Sequence, residues 1–232
     1  MSFLQKLKEA DATLNPDTVT TDYEVATINA LQEVFPDTHA HGCLYHLSQC
    51  VYRRVQANGL QESYTTYNEL SLQIRMIPAL AFVPVADVPA TFELIQEDLP
   101  EELQPILDYF EDTFIDRARR RGRREPRFQH SMWNCHDRVG DGLPRTNNHC
   151  EGWHRRMSAI VGAYHPNIWV FLDVLKKEQS QTEVAMTQAL VGEDGPPQRR
   201  QYRDVTKRLE NLVNDYDNRR VLLFLRGIAH NL

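Results

Sequence analysis

The stretch TVTTDYEVATINALQEVFPDTHAHGCLYHLSQC, residues 18–50, switches its hydrophobic period several times, and those switches decide the fold class. Thr18-Val19-Thr20-Thr21 is a β-branched run long enough for one short strand, and it delivers Asp22 at its carboxyl end. Over residues 23–34 the apolar positions Val25, Ile28, Leu31 and Val34 recur at near-helical spacing. Phe35-Pro36-Asp37 stops that helix, a second short strand fits residues 39–44, and a helix over 45–57 ends at Asn58-Gly59. Upstream, Phe3, Leu4 and Leu7 predict a short helix over 3–9, which Asn15-Pro16-Asp17 breaks. Helix, strand, helix, strand, helix within the first sixty residues reads as a fragment of an α/β layer.

Beyond Gly59 the strand signal fades. The patterns predict helices over 70–82, 90–99 and 101–120, punctuated by Pro78, Pro84, Pro89 and Pro100. Residues 129–145 look loop-like, with Gly140, Gly142 and Pro144. Helices resume over 146–161, 166–190, 202–216 and 219–229, with a break at Glu193-Asp194-Gly195-Pro196-Pro197. The expected class is therefore α-dominated α/β, with one or two short strands near the N-terminus.

Composition narrows the function. The 232 residues are 41% hydrophobic and 25% charged, ordinary for a globular protein. A formal charge of −6 excludes a generic polyanion binder, so any nucleic-acid contact must come from a local patch. One exists: RARRRGRREPR, residues 117–127, sets seven arginines against Glu125, a local charge near +6 that leaves about −12 on the rest. Such a run can neutralise several phosphates, with Arg119, Arg120, Arg121, Arg123 and Arg124 as the candidate contacts. The competing reading is a solvated helix end or a linker. The opening residues lack the apolar core of a signal peptide and no run approaches a membrane span, so nucleus or cytoplasm is expected, with no secretion and no membrane partner.

Chemistry concentrates in residues 18–50 and in LPRTNNHCEGWHRR, residues 143–156. Asp22 at a strand's carboxyl end is well placed for a ligand, or it simply caps the following helix. Glu151 falls in the first turns of a predicted helix and shares a face with His154. Two carboxylates far apart in sequence suit two-metal phosphoryl transfer, in which ions about 4 Å apart activate the nucleophile and stabilise the leaving oxygen. Three or more acids are usual there. Cys43-Leu44-Tyr45-His46 is a C-x-x-H at a strand-to-helix junction. Together with Cys135-His136 and His149-Cys150 it allows a zinc site to be drawn, but a buried thiol and a hydrogen-bonded imidazole are the preferred reading, and zinc is not the expected occupant. Trp133, Trp153, Trp169, Tyr164, Phe171 and Phe224 read most simply as core.

The order TDYE (21–24), FP (35–36), GC-x-x-H (42–46), Gly59-Leu60, WN (133–134), LPRTNN-x-x-EGWHRR (143–156), HPN-x-W-x-FL (165–172), LKKEQ (175–179) and FLRGIAHNL (224–232) resembles the Mutator-like element (MULE) transposase domain. That resemblance implies an RNase H-like fold interrupted by a helical insertion, and a DDE carboxylate triad served by Mg²⁺ or Mn²⁺ in DNA transposition. It assigns residues 1–60 to the α/β core, 61–145 to the insertion and 146–232 to the Glu-bearing and C-terminal helices. It makes Asp22 and Glu151 the second and third acids, catalytic and metal-binding, with Cys43 and His46 as the family's C-x-x-H. The first acid belongs upstream of TTDYE, so an incomplete copy of a transposable-element enzyme is expected, inactive alone. The expected partners are DNA and an oligomer or complementing transposase chain. The alternative is a non-catalytic, domesticated DNA-binding or protein-interaction module.

Overall fold

In the computed structural model, which describes residues 3–119, 122–162, 165–193 and 199–232, the period switches of residues 18–50 become a βαβ unit. Helix α1 (Phe3–Ala10) precedes strand β1 (Thr18–Thr21), helix α2 (Val25–Val34), strand β2 (His39–Gly42) and helix α3 (Leu44–Ala57). The two strands pair in parallel, from Thr18 opposite His39 to Thr21 opposite Gly42. Parallel neighbours need a crossover, and α2 supplies it. Leu31, Val34 and Phe35 at the end of that crossover pack with Leu4, Leu14 and Val19, so α1, α2 and β1 share one small core.

Helices follow: α4 (Gln61–Thr66), α5 (Asn68–Ala79), α6 (Val88–Asp98) and α7 (Gln104–Phe114). Pro89 and Pro105 sit in the first turns of α6 and α7, where a missing N–H costs nothing. Pro89, expected as a break, therefore starts a helix. The helix expected to reach residue 120 stops at Phe114, and the arginine run folds back as a hairpin of β3 (Arg117–Arg119) and β4 (Gly122–Arg124). Like charges three and four residues apart repel on a helix, and Gly122 weakens it further; an extended ribbon relieves both. The predicted loop over 129–145 also holds two short helices, α8 (His130–Trp133) and α9 (His136–Gly140). They are tied down by their neighbours. Trp133 Nε1 donates to the Phe114 carbonyl at 3.1 Å and Asn134 Nδ2 to that of Val83 at 2.7 Å.

The chain divides into two compact units, Met1–Thr146 with Thr206–Leu232, and Asn147–Val205. In the first, Phe82, Phe92, Phe110, Phe114, Trp133 and Phe224 are fully buried and form an aromatic core. The second contains α10 (Asn148–Val161), α11 (Ile168–Leu190) and the start of α12 (Arg200–Asn214). The remainder of α12 and helix α13 (Val221–Ala229), expected to group with residue 146 onward, belong to the first unit. There α13 packs on α5, and the Arg226 guanidinium forks onto Glu69 at 2.7 and 2.8 Å. No helix among the described residues is long and apolar enough to cross a membrane.

The expected aromatic core holds for Trp133 and Phe224, not for the second unit. Trp169 is 72% exposed, and Trp153 and Phe171 are also exposed, while Tyr164 lies outside the described residues. Five successive apolar residues, Ile168 to Leu172, go more than once round a helix, so they cannot all face one neighbour. The buried stripe of α11 consists of Val174 and Glu178.

Candidate functional site

Asp22 follows β1 directly and Cys43 follows β2 directly, so the parallel register sets them side by side. The Cys43 amide donates to the Thr21 carbonyl at 2.8 Å, extending the ladder by one rung. Cys43 is also the N-cap of α3, and His46 is the third residue inside it. That is the capping-box spacing, which points both side chains at the same first turn. The consequence is a cluster: one ligand atom each from Asp22, Cys43 and His46 lies within 4.8 Å of the others. His46 Nδ1 stands 3.2 Å from Asp22 Oδ1. Cys43 is fully buried, whereas the Asp22 side chain is half exposed and opens the cluster to solvent.

The cap reading of Asp22 is overturned. The N-cap of α2 is Glu24, whose carboxylate accepts from Thr27 Oγ1 at 2.9 Å. Between them Tyr23 takes the left-handed conformation, φ 62°, the one non-glycine residue to do so among those described. Its ring turns inward, edge-on to Phe114 and Phe128 at 5.6 and 5.1 Å. There it lies against Gly42: a Cβ at that position would fall 2.2 Å from Tyr23 Cζ. Glycine before the C-x-x-H is thus what lets the tyrosine after Asp22 be buried. Burial pushes the Tyr23 phenol well above its ordinary value.

Around the cluster the polar interior is under-satisfied. Among the described residues, Thr21 Oγ1, Tyr23 Oη, His41 Nδ1, His46 Nδ1 and Arg138 Nη1 are buried without a hydrogen-bond partner. All come from the ends of β1 and β2, from α3, or from Arg138, whose Nη2 donates to Thr20 Oγ1 at 3.5 Å and to the Pro144 carbonyl. Such groups are uncommon in a folded interior, and these five gather around the strand ends. Burial, with Arg138 and His39 adding to it, lowers the His41 imidazole below its ordinary value.

Of the other cysteine–histidine pairs, Cys135 and His136 do not join the cluster found among the described residues. Cys135 is fully buried, with its thiol pushed up to about 11 by burial. His136 Nδ1 faces Asp137 at 2.9 Å instead. His149 and Cys150 belong to the second unit.

Glu151 is also in the second unit, in the first turn of α10, its amide bonded to the Asn147 carbonyl at 3.2 Å. Behind it a buried carboxylate organises the helix pair. Glu178 of α11 accepts from Trp153 Nε1 at 3.0 Å and pairs with Arg156, both on α10. Of the candidate DNA contacts, Arg119, Arg123 and Arg124 lie in the hairpin, where Arg119 pairs with Gly122 and Ala118 with Arg123. Arg120 and Arg121 lie outside the described residues.

Sequence reasoning pairs Cys43 with His46, names Asp22 apart from them, and misses the convergence of all three. Two consecutive strands joined by one helix carry the signal, because an in-register parallel pair makes the residues after each strand neighbours.

The carboxylate, thiol and imidazole stand at the carboxyl edge of a parallel βαβ unit, the edge at which open α/β sheets present ligands. Residues 1–50, a segment that spans Asp22, Cys43 and His46, match the family model of the MULE transposase domain. No curated protein matches the chain, and no solved structure does.

Proposed function

We propose that the chain is a MULE transposase-derived protein that acts on DNA, its ancestral chemistry being metal-dependent strand cleavage and transfer. The observation that carries this reading is Asp22 at the carboxyl end of β1, inside the matched segment. Asp22 and Glu151 are its two acids and an RNase H-like core its parent fold, with the nucleus as its place of action. Mg²⁺ or Mn²⁺ is the ion such chemistry uses. Hard ions of that kind prefer an all-oxygen shell, and the side chains beside Asp22 are a thiol and an imidazole. That donor set does not fit Mg²⁺. The test is nicking of supercoiled plasmid with Mn²⁺ by the chain joined to an upstream segment that carries the first acid the resemblance implies. Nicking by the wild type that disappears in both Asp22→Asn and Glu151→Gln supports the assignment; nicking unchanged in either removes that residue from it.

A second reading, a non-catalytic DNA-binding module, is favoured by the arginine hairpin. A two-stranded ribbon is one of the shapes the major groove admits, and this one carries arginines in both strands. If the five arginines each touch a phosphate, replacing them with alanine lowers the salt slope of duplex binding by roughly 0.9 for every phosphate no longer neutralised. Unchanged affinity and slope would exclude the run as a DNA contact.

A further inference from the structure

We propose that Asp22, Cys43 and His46 form a mononuclear site for a thiophilic divalent ion, zinc foremost, with a fourth position open to solvent. The site goes beyond the nuclease reading and stands without it, because it follows from donor chemistry and geometry alone. Bond lengths of about 2.0–2.3 Å at tetrahedral angles separate neighbouring ligand atoms by roughly 3.3–3.8 Å. The Asp22 Oδ1 to His46 Nδ1 separation of 3.2 Å is already close to that value, and all three donors fall within 4.8 Å. The Asp22 side chain, half exposed, is the member of the set open to solvent.

Thiolate and imidazole select zinc over magnesium, whose ligands are oxygens. The frame is set before any ion arrives. Cys43 is held by its amide bond to Thr21 and by its place at the head of α3, and His46 is on the same rigid turn. Asp22 is fixed between the end of β1 and the left-handed Tyr23. An ion held by both side chains would replace the direct approach of His46 Nδ1 to Asp22 Oδ1 at 3.2 Å. The site is reached from the Asp22 side, since Cys43 lies at its floor. On binding, the Cys43 S–H bond breaks, sulfur keeps the electron pair and donates it to the ion, and the proton passes to solvent. No oxidant or reductant is involved.

The test uses the full chain, stripped with chelator and titrated with Co²⁺ as a spectroscopic stand-in for zinc. One equivalent is expected to raise a thiolate-to-cobalt absorption band that equimolar Zn²⁺ bleaches and a hundredfold excess of Mg²⁺ leaves intact. Cys43→Ser is expected to abolish the band, and Asp22→Asn to weaken Co²⁺ binding at least tenfold. Cys150→Ser, at an exposed position in the second unit, serves as the control that keeps the band. No band in the wild type, a band that survives in Cys43→Ser, or displacement by Mg²⁺ would overturn the proposal. If Cys43→Ser fails to fold, the half-exposed Asp22→Asn decides: unchanged Co²⁺ affinity there also overturns it. None of these readouts depends on DNA cleavage, so loss of nicking and loss of the cobalt band are separate results.

Discussion

Gly42→Ala tests the contact that shapes the site, because its sign depends on one ring. Gly42 lies in β2, where alanine fits the backbone. With open space around it, such a replacement stabilises by about 0.4–1 kcal/mol through the unfolded chain. Here the new methyl would sit 2.2 Å from Tyr23 Cζ and 2.3 Å from its hydroxyl. The ring has nowhere to go: Phe114 and Phe128 hold it edge-on, and the Tyr23 backbone is itself in the left-handed region. Overpacking costs about 1–3 kcal/mol, and each aromatic pair disturbed forfeits about 0.5–1.5 kcal/mol more. The net expectation is a loss of about 2–4 kcal/mol, or roughly 5–15 °C in Tm for a chain of this length. Thermal and urea unfolding followed by circular dichroism would measure it in the wild type, Gly42→Ala, Tyr23→Ala and the double variant. In the Tyr23→Ala background the alanine at 42 should be neutral or stabilising, a coupling of at least about 2 kcal/mol. A Gly42→Ala protein as stable as the wild type, or strictly additive variants, would refute the packing of Tyr23 on Gly42.

Three other outcomes are expected. Glu178→Ala removes the acceptor of Trp153 Nε1 and the partner of Arg156, and should cost roughly 1–3 kcal/mol. Faster amide exchange confined to α10 and α11 would be its signature, and unchanged exchange there would count against the role given to Glu178. The Cys135 thiol, buried and raised to about 11, should resist iodoacetamide at pH 8 while the exposed Cys150 is labelled first, with equal rates by mass spectrometry the contrary result. Hydrogen bonding from Arg226 holds the Glu69 carboxyl below its ordinary 4.5. Its contribution to stability is therefore present above about pH 4.5 and lost as pH falls through the lowered folded value. Any Tm gap between wild type and Glu69→Gln should close in acid and in high salt, and a gap that widened in acid would contradict the pairing.

Local chemistry makes much of this legible. The run Thr18 to Thr21 reads as a strand because four β-branched residues in succession leave little alternative, and the structure agrees to the residue. Asp22 stands out by its place at that strand's end. What the sequence conceals is tertiary. The helix-compatible pattern through residue 120 hides a hairpin, because the deciding terms are charge repulsion along a helix and the flexibility of Gly122. Trp169 and its neighbours read as core because apolar content is visible in sequence, whereas the number of faces a neighbour covers is not. Cys43 and His46 look like a structural pair because the third donor arrives from another strand.

Several of the motif strings touch one another within a unit. The tyrosine of TDYE lies on the glycine of GC-x-x-H, and the aspartate of the first meets the histidine of the second. The arginine carbonyl of LPRT accepts from the Leu44 amide inside GC-x-x-H at 3.0 Å. In the other unit the tryptophan and last arginine of EGWHRR close on the glutamate of LKKEQ. The asparagine of HPN caps α11, accepting from the Trp169 amide at 2.9 Å. Where side chains of two strings meet, as Tyr23 with Gly42 or Glu178 with Trp153 and Arg156, a substitution in one leaves a clash or an unmet polar group in the other. On this account the structural strings should tolerate change only in matched pairs, such as a smaller residue at 23 with a larger one at 42. On the proposed ion site Asp22 is different: no matched change on the protein side can replace a ligand shared with two partners through an ion.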